Sequence, residues 1–484
     1  MSTEPQTFVS SVLHRVVAVL AVAVAGVLFA QLALIWYARI PFPYDIEWME
    51  GGMLGHAWRI QRGLSIYPEP SADFVPYLYP PGYATLLAWL GQIFGLNAPL
   101  GRVISLGGSL AAAMAIAVSA GRKNALAGLL GAALFLGCYR NSGAFYDLVR
   151  TDGLAIGLTA WAVILGLSER KLYRDLSAIL LFLGFLVKQH IALFGIPLGI
   201  GIWMQFGVKD AARYAALSAV PALSAFGWLE WSTAGRFSQY VLGVPASHPV
   251  AFDRVFLESP VEWAVAVPAA VPLLWMAVRR PESVRVWTIL GCGGVALFSA
   301  AMMRGHHGGF INTQIPGFWA LSWLSALALA REERPLRRAL GYGAVLLSLS
   351  WSLWKLDAET LKPTAEDRVN GDRVVAALKD VKGPILSPFA AWLPVQAGHE
   401  PSVHLIAIWD IEHHKHTPFP KFGKAFRRAV AAHHWGAVLD DRKTMKYGVE
   451  ESYPTIERIR AKGFRTRVGW RVSPVLLRTP PEPQ

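Results

Sequence analysis

The sequence predicts an α-helical polytopic membrane protein of about eleven transmembrane helices, followed by a small C-terminal α/β soluble domain. Three observations carry that expectation: continuous apolar runs, a low charge content, and a change of composition after Leu356. Hydrophobic residues are 54% of the 484 and charged residues 16%, where soluble domains carry about 25% charged. Mean hydropathy is +0.36, with 19 tryptophans. The runs do not alternate apolar with polar residues, as the strands of a membrane β-barrel would.

The first run, Val16 to Trp36, is apolar except for Gln31 and follows Arg15. It is long enough to cross a bilayer and too long for a cleaved signal's apolar region, so it reads as a signal anchor. Ten further runs follow: Arg102–Ala120, Ala125–Cys138, Leu154–Leu167, Leu176–Val187, Ile191–Phe206, Ala212–Leu229, Val261–Val278, Val286–Met303, Ile311–Ala330 and Ala339–Leu356. Pro81–Leu96 is apolar but short and opens on Pro80-Pro81-Gly82, which suits an interfacial or re-entrant helix.

The formal charge of +13 does not point to nucleic acid, because the Lys and Arg sit in short loops between apolar runs. That is the pattern of topology signals. If Pro81–Leu96 does not cross, five loops on one side, including Arg170-Lys171-Arg174 and Arg331 to Arg338, hold fourteen basic residues, against six in the loops opposite. The positive-inside rule then predicts an integral plasma (inner) membrane protein with a cytoplasmic N-terminus and an external, periplasmic C-terminal domain. The expected division is a membrane domain over 1–356, with a first external loop at 38–101, and a soluble domain over 357–484.

In that soluble domain, Asn370–Lys382, Phe422–His434 and Ser452–Lys462 read as helices. Pro384–Ser387, Gly436–Leu439, Gly463–Val468 and Val475–Leu477 read as strands, and Lys362–Asp367 as the linker. Cys138 and Cys292 both lie in apolar runs, so no disulfide framework or zinc motif is offered.

Four polar clusters fall on the external side in this topology. Pro43-Tyr-Asp-Ile-Glu-Trp-Met-Glu50 brings Asp45, Glu47 and Glu50 together just after the first span. Carboxylates beside a membrane are costly, and the aromatic neighbours Tyr44 and Trp48 would desolvate them and raise their pKa toward a useful general base. An acidic interfacial cap is the plainer alternative. By span rigidity, Asp45 ranks first as base, then Glu47, then Glu50.

Arg150 and Asp152 open a span, where a structural pair capping the helix competes with a catalytic role. Lys188, Gln189 and His190 interrupt apolar sequence, and Lys188 is either a snorkelling side chain or a phosphate-binding cation. Arg304, His306 and His307, with adjacent glycines, form a cationic loop that a phosphate could enter. Asn312 and Gln314 follow as neutral donors. A vicinal His pair is weak evidence for metal. His413, His414 and His416 lack the Cys or carboxylate partners that would complete a metal site and read as a solvated loop. No Walker A, dinucleotide or G-x-S-x-G motif appears.

The chain resembles the GT-C superfamily of multispanning glycosyltransferases, related to protein O-mannosyltransferases and aminoarabinose transferases. The resemblance rests on the acidic first loop, on Gly63-Leu-Ser-Ile-Tyr67 followed by Tyr77-Leu-Tyr-Pro-Pro-Gly82, and on Arg150-Thr-Asp152-Gly-Leu154. Lys188-Gln189, Gly309-Phe-Ile-Asn312 and the C-terminal Gly383-Pro-Ile-Leu-Ser387 also match. It departs from the family in placing three acids in the first loop.

The resemblance implies transfer of a sugar, with inversion, from a polyprenyl-phosphate donor to a lipid, glycan or protein acceptor at the external leaflet. Asp45, Glu47 and Glu50 would supply the base, and Arg150, Lys188, Arg304, His306 and His307 would bind the donor phosphate. Asp152, Gln189, His190, Asn312, Tyr67 and Tyr79 would contact substrate. No cofactor is required by the sequence, and a divalent metal stays open. The rival from another class is a lipid-linked-sugar flippase or transporter. Those usually carry midplane charges and repeated halves, and neither is evident here.

Overall fold

The computed structural model describes residues 4–277, 283–412, 416–441, 445–460 and 466–481. Among the described residues, each apolar run is mainly helical. In chain order these helices are α1 (Glu4–Arg39), α2 (Glu50–Gln61), α3 (Gly82–Phe94), α4 (Ala98–Gly121), α5 (Ala125–Gly137), α6 (Thr151–Gly166), α7 (Lys171–Val187), α8 (Gly195–Phe206) and α9 (Val208–Ser232). After them come Ser259–Ala266, Ala270–Ala277, Val284–Gly305, Ile315–Arg331 and Pro335–Lys355. Asn97 and Asn124 start α4 and α5 by accepting the backbone N–H of Leu100 and Ala127, which satisfies donors the helix itself leaves open.

Eleven spans are not confirmed by helix length and composition. Among the described residues, three helices are long and apolar enough to cross a membrane (Val12–Arg39, Ala98–Gly121 and Val284–Gly305), or four if the pair Arg254–Ala266 and Ala270–Met276, bent by 91°, is one span. The physical reason is length. Several runs fold as shorter helices, such as the 13 residues of α5 and the 16 of α6. Two others open with 3-10 turns, Gln189–Phe194 and Ile311–Gln314. Both turns carry the polar residues that the sequence had singled out.

Close backbone approach holds α4 against α6. A Cβ on Gly153 would lie 2.2 Å from the Ser105 carbonyl oxygen, and one on Gly108 would lie 2.3 Å from that of Gly153. Glycine is therefore required for the two helices to meet, and this contact sets the height of Arg150 and Asp152 at the start of α6.

The C-terminal residues form a four-stranded sheet in the order β1-β2-β4-β3, with β1 Ile385–Leu386, β2 Ala437–Asp440, β3 Thr455–Arg458 and β4 Leu476–Thr479. β1 and β2 run parallel and the other pairs antiparallel. Around it lie helices Ala365–Leu378, Leu405–Glu412 and Phe422–Ala431.

Two sequence expectations fail here. The helix expected over Ser452–Lys462 does not form in its described part beyond Ser452: Pro454 biases its predecessor toward extended backbone, and Thr455–Arg458 becomes the exposed edge strand β3. The linker is shorter than Lys362–Asp367, because Thr364 and Asp367 form a capping box on helix Ala365–Leu378. His413, His414 and the first residues of Gly463–Val468 lie outside the described residues.

Candidate active site

The first loop is pinned in place from beneath. Arg102, on α4, is fully buried and bonds Glu50 with both arms, Nε to Oε1 at 3.0 Å and an Nη to Oε2 at 2.8 Å. The same guanidinium donates to the carbonyls of Arg39, Phe42 and Tyr44. Glu50 in turn accepts the backbone N–H of Ile46 at 2.7 Å and of Val149 at 2.9 Å. Burial alone would raise the Glu50 carboxyl, but the bonded Arg102 charge holds it below its ordinary value. Both Glu50 oxygens are thus committed to holding the loop. A second buried pair, Arg39 with Asp147 at 3.0 Å, fixes the end of α1.

Above this pin lies a cavity of about 770 Å³. Glu47 lines it, with Arg150, Lys188, Gln189, His190, Tyr79, Asn312, His306 and His307. Clusters scattered through the chain therefore meet at one place.

Arg150 reaches Glu47 Oε2 at 3.3 Å and the Tyr79 hydroxyl at 3.2 Å. Lys188 Nζ donates to Asp152 Oδ1 at 2.8 Å, and Asn312 donates to the other Asp152 oxygen at 3.1 Å. Gln189 is tied by its amide to the carbonyls of Leu78 and Val241. His306 bonds the Pro245 carbonyl, and the His307 ring stacks on Trp409 at 4.6 Å.

Five expected residues do not line this cavity: Glu50 and Asp152, held as described, and Asp45, Arg304 and Tyr67. Asp45 is buried behind the loop with its Oδ2 lacking a hydrogen-bond partner; burial and the neighbouring Glu50 charge push its carboxyl well above the usual range. Arg304 is clamped by Glu258 at 3.0 Å and Glu262 at 2.9 Å, and also donates to the Gly309 carbonyl, so it shapes the His306 loop from behind. Tyr67 is buried against Phe237 and donates to the Tyr79 carbonyl at 2.7 Å, supporting Tyr79 from outside.

Glu47 is the first-loop acid set on the cavity wall. Burial raises its carboxyl to about 7, against the opposing pull of Arg150. Sequence reasoning missed the C-terminal contribution. Asp410, partly buried in the same wall, is also raised to about 7 by burial. His248 donates to the Asp410 carbonyl at 2.8 Å, and His404 to that of Trp48 at 2.9 Å. The available signal was an acid inside the apolar stretch Leu405–Glu412. Among the described residues, no group of three or more His, Cys, Asp or Glu is placed to hold a metal ion.

Nearly the whole chain superposes on a solved structure. ArnT from Cupriavidus metallidurans bound to undecaprenyl phosphate matches with a TM-score of 0.60 and 12% identity, covering 96% of this chain and 99% of that one. The fold is that of ArnT. ArnT in the apo state overlays at a TM-score of 0.45 with 11% identity. No protein-family model matches the sequence, and no curated protein matches it. At such identity the likeness shows the fold alone.

Proposed function

We propose that this protein is an inner-membrane glycosyltransferase that moves a sugar from a polyprenyl-phosphate donor to a lipid, glycan or protein acceptor at the external leaflet. The observation that carries the reading is the cavity in which a carboxylate raised to about 7, Glu47, faces Arg150, Lys188 and Asn312. ArnT, with this fold, was solved with undecaprenyl phosphate bound, and the cationic wall suits a phosphate of that kind. Residues 1–356 would form the membrane catalytic part and 357–484 an external domain.

In the reaction, Glu47 accepts the proton of the acceptor hydroxyl as its oxygen attacks the anomeric carbon. The sugar–phosphate C–O bond breaks, and the lipid phosphate departs with that electron pair. Arg150 and Lys188 offset the charge growing on the phosphate. Attack from the face opposite the leaving group inverts the anomeric carbon. Incubating the purified protein with radiolabelled polyprenyl-phosphate sugars and a membrane extract tests the reading. Label moving to no acceptor across the donor panel rejects it.

Lys188→Ala should weaken binding of undecaprenyl phosphate by about 1.5–3 kcal/mol, the worth of a charge-assisted hydrogen bond. Microscale thermophoresis on protein in nanodiscs measures this, and an unchanged affinity would move the phosphate to the His306–His307 side. For topology, a reporter active only in the cytoplasm should be silent when fused at Gln484 and active in the loop containing Arg331 and Arg338. The reverse pattern would mean that Pro81–Leu96 crosses the membrane.

A further inference from the structure

A second cavity, of about 730 Å³, adjoins the first and is lined by five aromatic rings: Trp48, Phe389, Trp409, Tyr447 and Trp470. Trp48, Gly308, Ile406 and Trp470 line both cavities. The shared wall is ordered. Trp48 and Trp470 meet edge to face at 4.5 Å, and Phe389 meets Trp470 at 6.1 Å. Gly469, just before Trp470, packs so closely on Glu47 that a Cβ there would lie 2.9 Å from its Cγ. The second cavity is thus joined through one turn of chain to the carboxylate assigned as base.

Its polar groups are few and specific. Glu412 accepts from Arg427 at 2.7 Å, and Lys446 completes the set. Flat apolar rings with a small number of placed donors and acceptors define an oriented small-molecule site. A pyranose has the matching surface, with C–H faces that lie on aromatic rings and equatorial hydroxyls that reach side-chain donors and acceptors. An alkyl chain would cover the Glu412–Arg427 pair and Lys446 without offering any of them a hydrogen bond.

On the footing that sugar transfer takes place in the first cavity, we propose that the second cavity is the acceptor subsite and binds a sugar ring of a glycan. Its hydroxyl is presented across the Trp48–Trp470 wall to Glu47. The same chemistry serves a free glycan and a lipid-anchored one, and the acceptor's reactive group is a sugar hydroxyl.

The test uses the full chain in nanodiscs and two probes. Fluorescein-labelled trisaccharides of glucose, galactose, mannose and N-acetylglucosamine report the second cavity by anisotropy, and undecaprenyl phosphate reports the first. The same trisaccharides on a phytanyl tail distinguish a lipid-anchored acceptor from a free one. Tyr447, which lines the second cavity and packs on Phe426 away from the first, is replaced. Tyr447→Ala should weaken the best-bound trisaccharide by about tenfold or more, the usual effect of truncating an aromatic anchor. Tyr447→Phe should restore most of the affinity, and undecaprenyl phosphate binding should stay unchanged in both.

The proposal is overturned if no trisaccharide binds wild type while undecaprenyl phosphate does, or if Tyr447→Ala binds glycans as wild type does. Loss of both probes together would also overturn it, because the cavities would then not be separate subsites. So would preferential binding of an unglycosylated Ser/Thr peptide. Failure of undecaprenyl phosphate alone, with glycan binding intact, would reject the donor reading and leave the glycan site standing.

Discussion

Glu47→Gln is expected to lower sugar transfer by about 10²–10⁴-fold, the usual range for loss of a general base, while undecaprenyl phosphate still binds. Glutamine keeps the size and the hydrogen-bond acceptor that Arg150 and the Met49 N–H use but cannot take a proton. The pH profile gives a second readout. A base works only when ionised, and burial holds the Glu47 carboxyl at about 7. Wild-type kcat/KM should therefore rise as pH increases through about 7 and level off above it. Glu47→Gln should remove that rise. Asp410 is also raised to about 7, so Asp410→Asn is the necessary control and should retain it. If Asp410→Asn flattens the profile and Glu47→Gln does not, Asp410 is the base. If Asp45→Asn alone abolishes transfer with its fold intact, the buried Asp45 acts through a movement of the loop.

The second large effect is on stability. Arg102→Met would strip the fully buried Glu50 carboxylate of its partner and release the carbonyls of Arg39, Phe42 and Tyr44. Breaking one side of a buried pair costs about 3–5 kcal/mol, because the remaining charge is left uncompensated in a low dielectric. Thermal unfolding in detergent, followed by a thiol-reactive dye that reads exposure of the buried Cys138 and Cys292, should show a large fall in melting temperature. Arg102→Met combined with Glu50→Gln should recover part of it, since no naked charge remains. A melting temperature for Arg102→Met equal to wild type would mean that the pair does not hold the loop.

Both predictions depend on distinguishing among three acids that look equivalent in one short segment. The segment itself was legible: carboxylates beside aromatics, directly after an apolar run, stand out in a chain with so little charge. So was the joining of Arg150, Asp152, Lys188, Gln189 and Asn312, each a polar break at the edge of an apolar run. The rank order was not legible. Asp45 was favoured for a short side chain near a span end, yet the loop turns so that Glu47 faces the cavity and Asp45 packs behind it. Arg304 looked like a phosphate ligand because Glu258 and Glu262, which clamp it, lie more than forty residues earlier in the chain and carry no local sign of that pairing.

Sequence alone determined what short-range chemistry dictates. Continuous apolar runs must be helical, because buried backbone groups have to bond within their own segment. Polar residues at the ends of those runs mark where the chain meets water. Asn97, Asn124 and Thr364 start helices through contacts three residues away. Tertiary structure decided what depends on distant partners. It decided which first-loop acid was neutralised by Arg102, fifty-two residues on, and which was left on the cavity wall. It also carried Asp410, Trp409 and Trp470 from the C-terminal part to within reach of the first loop. A carboxylate's role is set by the dielectric and charges around it, and those surroundings are assembled only when segments hundreds of residues apart pack together.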